Sequence, residues 1–456
     1  MTPRVRALSV THVQPDCPTN NPASRDAIKL SLFDTLFIAL TPVQRLFFYE
    51  SDDLPPFPAL SHSLQSSLAA TLNVFTPLAG KLTASSSGEE VFIDCSPDAV
   101  TAPGVRFVEA EYAGDDMRRL VRDAEHDVEV FLQLVPELAV GELPAPVLAV
   151  QVTRPADASG IVAVGVAVHH AVIDGQALWQ FLRAWAAASR GGLSAGLGNS
   201  SPTFDRAVIN NRHPKAEEVA RKFVRVFAPA LPTVNTIPGP DITQQRRRTY
   251  LLSADQIQSL KHHIISSQQS RGTENEAPST YAAIASLVWT SIVRAKNHTN
   301  NDDAVYLMFA ADCRARLRPP LDASFFGNCV KSCYARVKAG ELLGREGIAR
   351  AVTATGEAVR EYLEEDDPMA DAEQWLGRHR ALPKERVTQI GASHRFMAHE
   401  TDFGWGAPTR VELVSVFVRE FVALLGLRDG AVQVSVALDR EHMDGFQANF
   451  LSQLQG

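Results

Sequence analysis

Apolar residues recur along the chain at two spacings, one suited to helices and one to strands, and the elements they predict alternate over most of its length. Residues 60–71 carry apolar side chains at helical intervals. Residues 161–168 are an unbroken run of apolar residues and glycine, the length of a strand buried on both faces. Just beyond, Ala177, Leu178, Phe181, Leu182, Trp185 and Ala186 fall on one face of a helix over 176–189. Residues 1–15 alternate apolar with polar and read as a first strand, since they hold neither a continuous apolar core nor a small-residue cleavage site. A Gly/Ser/Ala-rich stretch at 191–201 and a proline-marked, irregular region up to about Gln245 read as an interdomain connection.

The second half repeats the mixture. A short strand at 249–252 leads into Ser253-Ala254-Asp255-Gln256, a capping box for a helix toward Ile265. Another helix starts near Ser279 and buries Tyr281, Ile284, Ala285, Val288 and Ile292. Strands follow at 304–310, 330–337, 411–416 and 431–438, the last entered through a turn at Asp429-Gly430, and a helix from Arg440 closes the chain. A chain of 456 residues exceeds one core. The pattern therefore predicts two α/β domains, 1–200 and 246–456, joined by a crossover at 201–245, with ligands bound at the seam between them.

Composition is that of an ordinary globular protein, with 45% hydrophobic and 21% charged residues. A net charge of -8 gives no electrostatic reason to bind nucleic acid or an anionic membrane. Arg246-Arg247-Arg248 is the local exception, read as a solvated loop or, alternatively, as a neighbour of the phosphates of a nucleotide-bearing cofactor. Five scattered cysteines, Cys17, Cys95, Cys313, Cys329 and Cys333, fit buried thiols in a reducing compartment better than a disulfide framework or a zinc site. No run of eighteen apolar residues occurs, so a cytoplasmic protein is expected.

Candidate chemistry sits at the end of the 161–168 strand. Side chains alternate across a strand, so His169 and His170 point to opposite faces and only one can face a given cavity. Asp174 follows His170 by a few residues, and Gly175 permits a sharp reversal into the next helix. Histidine titrates near neutrality without help and is the natural general base for an alcohol or amine. The same residues also admit a plainer reading: adjacent histidines at a strand end as structural groups, with Asp174 as the helix N-cap. A metal shared by His170 and Asp174 lacks further ligands nearby, and none is expected.

His169-His170-Ala171-Val172-Ile173-Asp174-Gly175 together with Asp402-Phe403-Gly404-Trp405-Gly406 resembles the paired signature of the plant BAHD acyltransferase family. The likeness extends through Thr41-Pro42 with Phe47-Phe48-Tyr49, through Phe75-Thr76-Pro77-Leu78-Ala79-Gly80-Lys81-Leu82, through Asp312-Cys313-Arg314-Ala315-Arg316 and through Phe326-Gly327-Asn328-Cys329. The resemblance implies two similar chloramphenicol-acetyltransferase-like α/β domains, each a mixed sheet with packed helices, and a solvent channel between them with His170 reachable from both mouths. Acyl-CoA enters as co-substrate, no cofactor is held, the partner is a small phenolic acceptor, and a monomer is expected. Asp174 is implied to be structural, pairing with Arg314, or with Arg316, both on one face if their segment is a strand. Asp402 is likewise structural; Trp405 through its indole N–H and Thr41 through its hydroxyl are the implied oxyanion donors. Ser279 and Thr280 match positions that contact CoA from a helix start, or else cap that helix.

Within the family, Thr401 to Gly406, Pro408, Val411-Glu412, the Thr41 to Tyr49 run and Gly327-Asn328-Cys329 look most like the branch that malonylates flavonoid, anthocyanin and phenolic glucosides. Phe325 and Gln176 depart from it, the latter standing where several relatives carry a basic residue. A malonyl carboxylate needs a cation when desolvated, and the sequence names none. A hydroxycinnamoyl-CoA O- or N-acyltransferase, which needs no such cation, is the first alternative. A non-catalytic binding protein on the same scaffold is the alternative of another class; a peptide-synthetase condensation domain shares the first motif and the general fold, but it takes acyl groups from carrier proteins and this chain carries the second motif.

Overall fold

Eight residues, Ile161–Val168, form a strand buried from end to end near the middle of a six-stranded sheet. The computed structural model describes residues 3–16, 27–114, 116–157, 160–197, 201–269, 277–297, 300–364 and 367–455. The strands of this sheet are β1 (Val5–Val13), β2 (Val43–Glu50), β3 (Val105–Tyr112), β4 (Leu148–Pro155), β5 (Ile161–Val168) and β6 (Arg410–Leu413), in the spatial order β1-β3-β4-β5-β2-β6. Only β3 and β4 run parallel; the other neighbours are antiparallel. Burial on both faces explains why β5 shows no alternation. Gly165 within it has no room for a side chain, because the Leu134 carbonyl packs against its backbone.

Helices α1 (Leu32–Thr35), α2 (Phe57–Leu72), α3 (Gly175–Ser189) and α4 (Ala216–Phe227) accompany this sheet. The apolar stripe expected on α3 is buried, and the Trp185 indole donates to the Leu64 carbonyl and the Ser67 hydroxyl of α2 at 3.2 and 3.1 Å. Four short strands, Ile28–Lys29, Val91–Asp94, Lys81–Ala84 and Ala145–Pro146, make a small second sheet.

The chain divides into two compact units. The first holds Met1–Gly239 together with Leu321–Cys329 and Ala398–Phe417; the second holds Pro240–Pro320, Val330–Met397 and Val418–Gly456. The segment carrying Asp402 to Gly406, expected with the C-terminal half, thus groups with the first unit, because β6 pairs with β2 from Arg410↔Phe48 to Leu413↔Arg45. The second unit has its own six-stranded sheet, ordered Gln245–Leu252, Val432–Asp439, Phe421–Gly426, Val387–Ile390, Ala304–Asp312, Val330–Lys338. Helices Ala254–Gln269, Thr280–Lys296, Gly347–Leu363 and Arg440–Gln455 belong to it.

Three sequence expectations need correction. The region before Gln245 is not irregular throughout: α4 lies in it, burying Ala216, Val219, Ala220, Phe223 and Val224 at helical spacing. Arg246-Arg247-Arg248 is strand rather than loop, with Arg246 paired to Asp444 at 2.8 Å and Arg247 buried against Gln245. Arg314 to Arg316 form a turn after the strand Ala304–Asp312, so no strand face presents both arginines. Two strands, Val387–Ile390 and Phe421–Gly426, were not read from the sequence at all. Cys17 lies outside the described residues; Cys95, Cys313, Cys329 and Cys333 are buried free thiols. Among the described residues no helix is long and apolar enough to cross a membrane.

Candidate active site

Strand β5 ends at Val168 and delivers two histidines into different surroundings. His169 is fully buried; its Nδ1 accepts the Ala171 N–H at 3.2 Å, and its own N–H donates to the Val147 carbonyl at 2.8 Å. Burial, reinforced by His170, pushes its pKa down to about 3, so the ring is neutral and structural. His170 is half-buried and its ring stacks on Phe37, with centroids 4.2 Å apart and planes 5° from parallel. Phe417 closes a second side at 5.8 Å. Desolvation lowers the pKa of His170 below its ordinary value, against the raising effects of nearby backbone carbonyls and of Asp174. The imidazole is therefore neutral at physiological pH, the state a proton acceptor needs.

Asp174 serves the turn rather than the imidazole. It is the N-cap of α3, where Oδ1 accepts the Ala177 N–H at 3.0 Å, and Oδ2 accepts the Cys329 N–H at 3.0 Å. Its carboxylate thereby ties the helix start to the strand of chain at 328–329. Arg314 lies in the second unit, where its guanidinium pairs with Asp312 at 3.1 Å.

A buried ionic network that the sequence reading missed holds the same turn. Asp34, fully buried in α1, accepts from the Ser31 N–H and hydroxyl at 2.9 and 2.7 Å, from the Asn328 N–H and Nδ2 at 3.1 and 2.9 Å, and from Arg206 Nε at 3.3 Å. Asn328 Nδ2 also donates to the His170 carbonyl at 3.0 Å, and Arg206 Nη2 to the Val172 carbonyl at 3.3 Å. Arg206 Nη1 reaches the Phe326 carbonyl, and a side chain on Gly327 would run into that guanidinium. The turn from His170 to Asp174 is thus pinned at both ends and in the middle. The Gly-Asn-Cys run was visible in the sequence; its partners Asp34 and Arg206, 294 and 122 positions away from Asn328, carried no local signal.

The strand pair β2–β5 brings Thr41 to the sheet end that carries His170, since Val43 at the start of β2 pairs with Val168. A cavity of about 620 Å³ opens at this end of the sheet. Pro42, Leu138, Val147 and Leu148 give it an apolar wall, while Lys81 and Arg106 are among its polar groups.

Trp405 is not brought to His170. Asp402 Oδ1 closes its turn by accepting the Gly404 and Gly406 N–H groups at 2.8 and 2.9 Å, and both glycines take left-handed φ angles of 105° and 91°. The turn packs at the C-terminal end of α3, where Ser189 donates to the Phe403 carbonyl at 2.8 Å and Arg190 to that of Asp402. Trp405 meets Tyr49 edge-on at 5.3 Å, and the Tyr49 hydroxyl donates to the Thr401 carbonyl at 2.7 Å. His170 precedes the opposite end of α3, a helix about 22 Å long. The second motif is a packing device in this geometry. In the second unit, the Ser279 hydroxyl caps the helix Thr280–Lys296 by accepting the Ala282 N–H at 3.1 Å, and Thr280 is that helix's first residue.

Three comparisons bear on this site. A family profile described as the Transferase family matches residues 4–452. Phenolic glucoside malonyltransferase 1 of Bemisia tabaci is 30% identical over 466 residues, covering 99% of this chain and 97% of the relative. The malonyl-CoA:anthocyanidin 5-O-glucoside-6''-O-malonyltransferase of Arabidopsis thaliana is 31% identical over 461 residues, covering 98% and 97%. The crystal structure of vinorine synthase shares the fold, with a TM-score of 0.74 at 20% identity over 98% of each chain.

Proposed function

From the premise that this chain belongs to the BAHD family of acyl-CoA-dependent acyltransferases, we propose that it moves a malonyl group from malonyl-CoA to a sugar hydroxyl of a phenolic or flavonoid glucoside, with His170 as general base. Both substrates are bound together. His170 takes the proton of the acceptor hydroxyl as its oxygen attacks the thioester carbon; the tetrahedral oxyanion collapses, the CoA thiolate leaves, and the imidazolium returns the proton to sulfur. The hydroxyl of Thr41 is the proposed donor to that oxyanion, a contribution of roughly 3 kcal/mol in a dry site. Ser279 and Thr280 open the helix proposed to meet CoA.

One observation carries this reading: a neutral, half-buried imidazole stacked on Phe37, on a turn fixed by Asp174, Asn328 and Arg206. Pre-organisation of that kind is what a proton acceptor requires and what a structural histidine does not. The cavity at the same end of the sheet, with one apolar wall and several polar groups, suits an aromatic glycoside. The glucoside malonyltransferases among the relatives support the choice of donor and acceptor. A second reading, a hydroxycinnamoyl donor, is favoured by the Phe37 and Phe417 rings that flank His170.

The test is a panel of acyl-CoAs with free and glucosylated phenolics, read by product mass and thiol release. Malonyl transfer to a glucoside is the expected result. Transfer of only a coumaroyl or caffeoyl group would refute the donor assignment, and no transfer with any pair would leave a binding protein.

A further inference from the structure

Arg45 occupies an unusual position for a cation. It is 4% exposed in the middle of β2, paired with Val166 of β5 on one side and Leu413 of β6 on the other. Residues paired across strands share a face, and alternation puts Val43 and Phe47 on that face too. The surroundings are therefore apolar. Among the described residues, Nε and Nη1 of its guanidinium are enclosed with no hydrogen-bond partner. The guanidinium carbon lies 5.5 Å from the centre of the Trp179 ring, a cation–π contact that gives Nε and Nη1 no hydrogen-bond acceptor.

Among the described residues, no carboxylate on the same face is paired with this charge. Glu412 is, among the described residues, the acid that acts on Arg45, but it pairs with Leu46 and so lies on the other face of the sheet. There it already meets Arg410 at 2.8 Å and His126 at 3.4 Å. Burial pulls the Arg45 guanidinium down to about 10, with Glu412 offsetting part of the effect, and it remains charged at physiological pH. A buried guanidinium with unused N–H groups is costly to keep. An anion arriving with the right geometry would be held strongly.

The place of Arg45 says which anion. Val166 and Val168 of β5 lie on the Arg45 face, the strand ends about 7 Å beyond Val166, and His170 opens the turn two residues after that end. Trp179, over the guanidinium, is on α3, about 7 Å along the helix from Asp174. An extended arginine side chain on one side and an acyl thioester lying against the imidazole on the other can bridge such a gap. We infer that Arg45 receives a substrate carboxylate beside His170, and that this carboxylate is the free end of the acyl donor. The inference rests on the proposed use of a dicarboxylic acyl-CoA, and it supplies the cation that such a donor needs on leaving water. A carboxylate on the acceptor has the same chemistry, so the experiment separates the two sources.

The full-length protein and its Arg45→Met and Arg45→Lys variants are compared with malonyl-CoA and acetyl-CoA, and with nitrophenyl and carboxyphenyl glucosides as acceptors. Expected is a fall of about 10- to 100-fold in the malonyl-to-acetyl ratio of kcat/KM for Arg45→Met, smaller for Arg45→Lys, with the acceptor ratio unmoved. A merely structural arginine would slow both donors alike and leave the donor ratio where it was, which overturns the inference. A change confined to the acceptor ratio overturns its assignment to the donor. If Arg45→Met fails to fold, Arg45→Lys alone decides, because it keeps the charge and loses the fork geometry. A parent enzyme that shows no preference for malonyl over acetyl would overturn both the donor reading and this inference; a parent preference kept by both variants overturns the inference alone.

Discussion

Replacing Asp34 with alanine removes the acceptor for five hydrogen bonds at once, one of them from a buried guanidinium. Arg206 is then a buried charge whose carboxylate partner is gone, a loss worth about 3 to 5 kcal/mol. The Asn328 and Ser31 N–H groups also lose their partners, but these costs are not additive within one network, so about 4 kcal/mol is the expected destabilisation. Urea unfolding followed by near-ultraviolet dichroism measures it. Acyl transfer by the folded fraction should also fall, by about 10- to 100-fold, because Asn328 is released from one anchor while holding the His170 carbonyl. Asp34→Asn, which keeps one acceptor oxygen but not the charge, should lie between. Stability within roughly 1 kcal/mol of the parent, a typical surface effect, would show that the network does not hold the turn.

The position of the second motif makes a contrasting claim about Trp405. Trp405→Phe should keep kcat within tenfold of the parent, since loss of an oxyanion donor would cost roughly 100- to 1,000-fold. A loss in that larger range would bring the indole to the reacting atoms after all. The lowered pKa of His170 makes a claim about pH: kcat/KM should stay level from neutrality down to 6.5 and fall only below it, as the ring gains a proton. The stability linkage has the same sign, since a histidine whose pKa is depressed on folding contributes stability above its unfolded pKa that is lost as pH falls. An acid limb at or above pH 6.5 would contradict the burial argument.

Local pattern was enough for the elements that build the site. The run at 161–168, the helix after Asp174 and its cap could all be read from neighbouring residues, because strand burial and N-capping are short-range effects. Ser253 and Gln256 form the reciprocal capping bonds their spacing promised. What escaped the reading is long-range. Nothing near Asp402 announces that β6 joins β2, and nothing near Arg206 or Asp34 announces their partnership. Arg45 carried no signal of its own between Pro42 and Phe47; only the folded sheet shows its charge to be buried, with Nε and Nη1 lacking hydrogen-bond partners among the described residues. Trp405 is the instructive case, a residue whose identity was legible while its distance from His170 was not.

The central claim, that the His170 imidazole accepts the acceptor's proton, is tested most directly by His170→Ala assayed for acyl transfer at saturating donor and acceptor, with dichroism confirming the fold. General-base catalysis of this kind contributes about 100- to 10,000-fold, so turnover should fall at least that far while the spectrum is unchanged. A folded variant that kept turnover within tenfold of the parent would contradict the account.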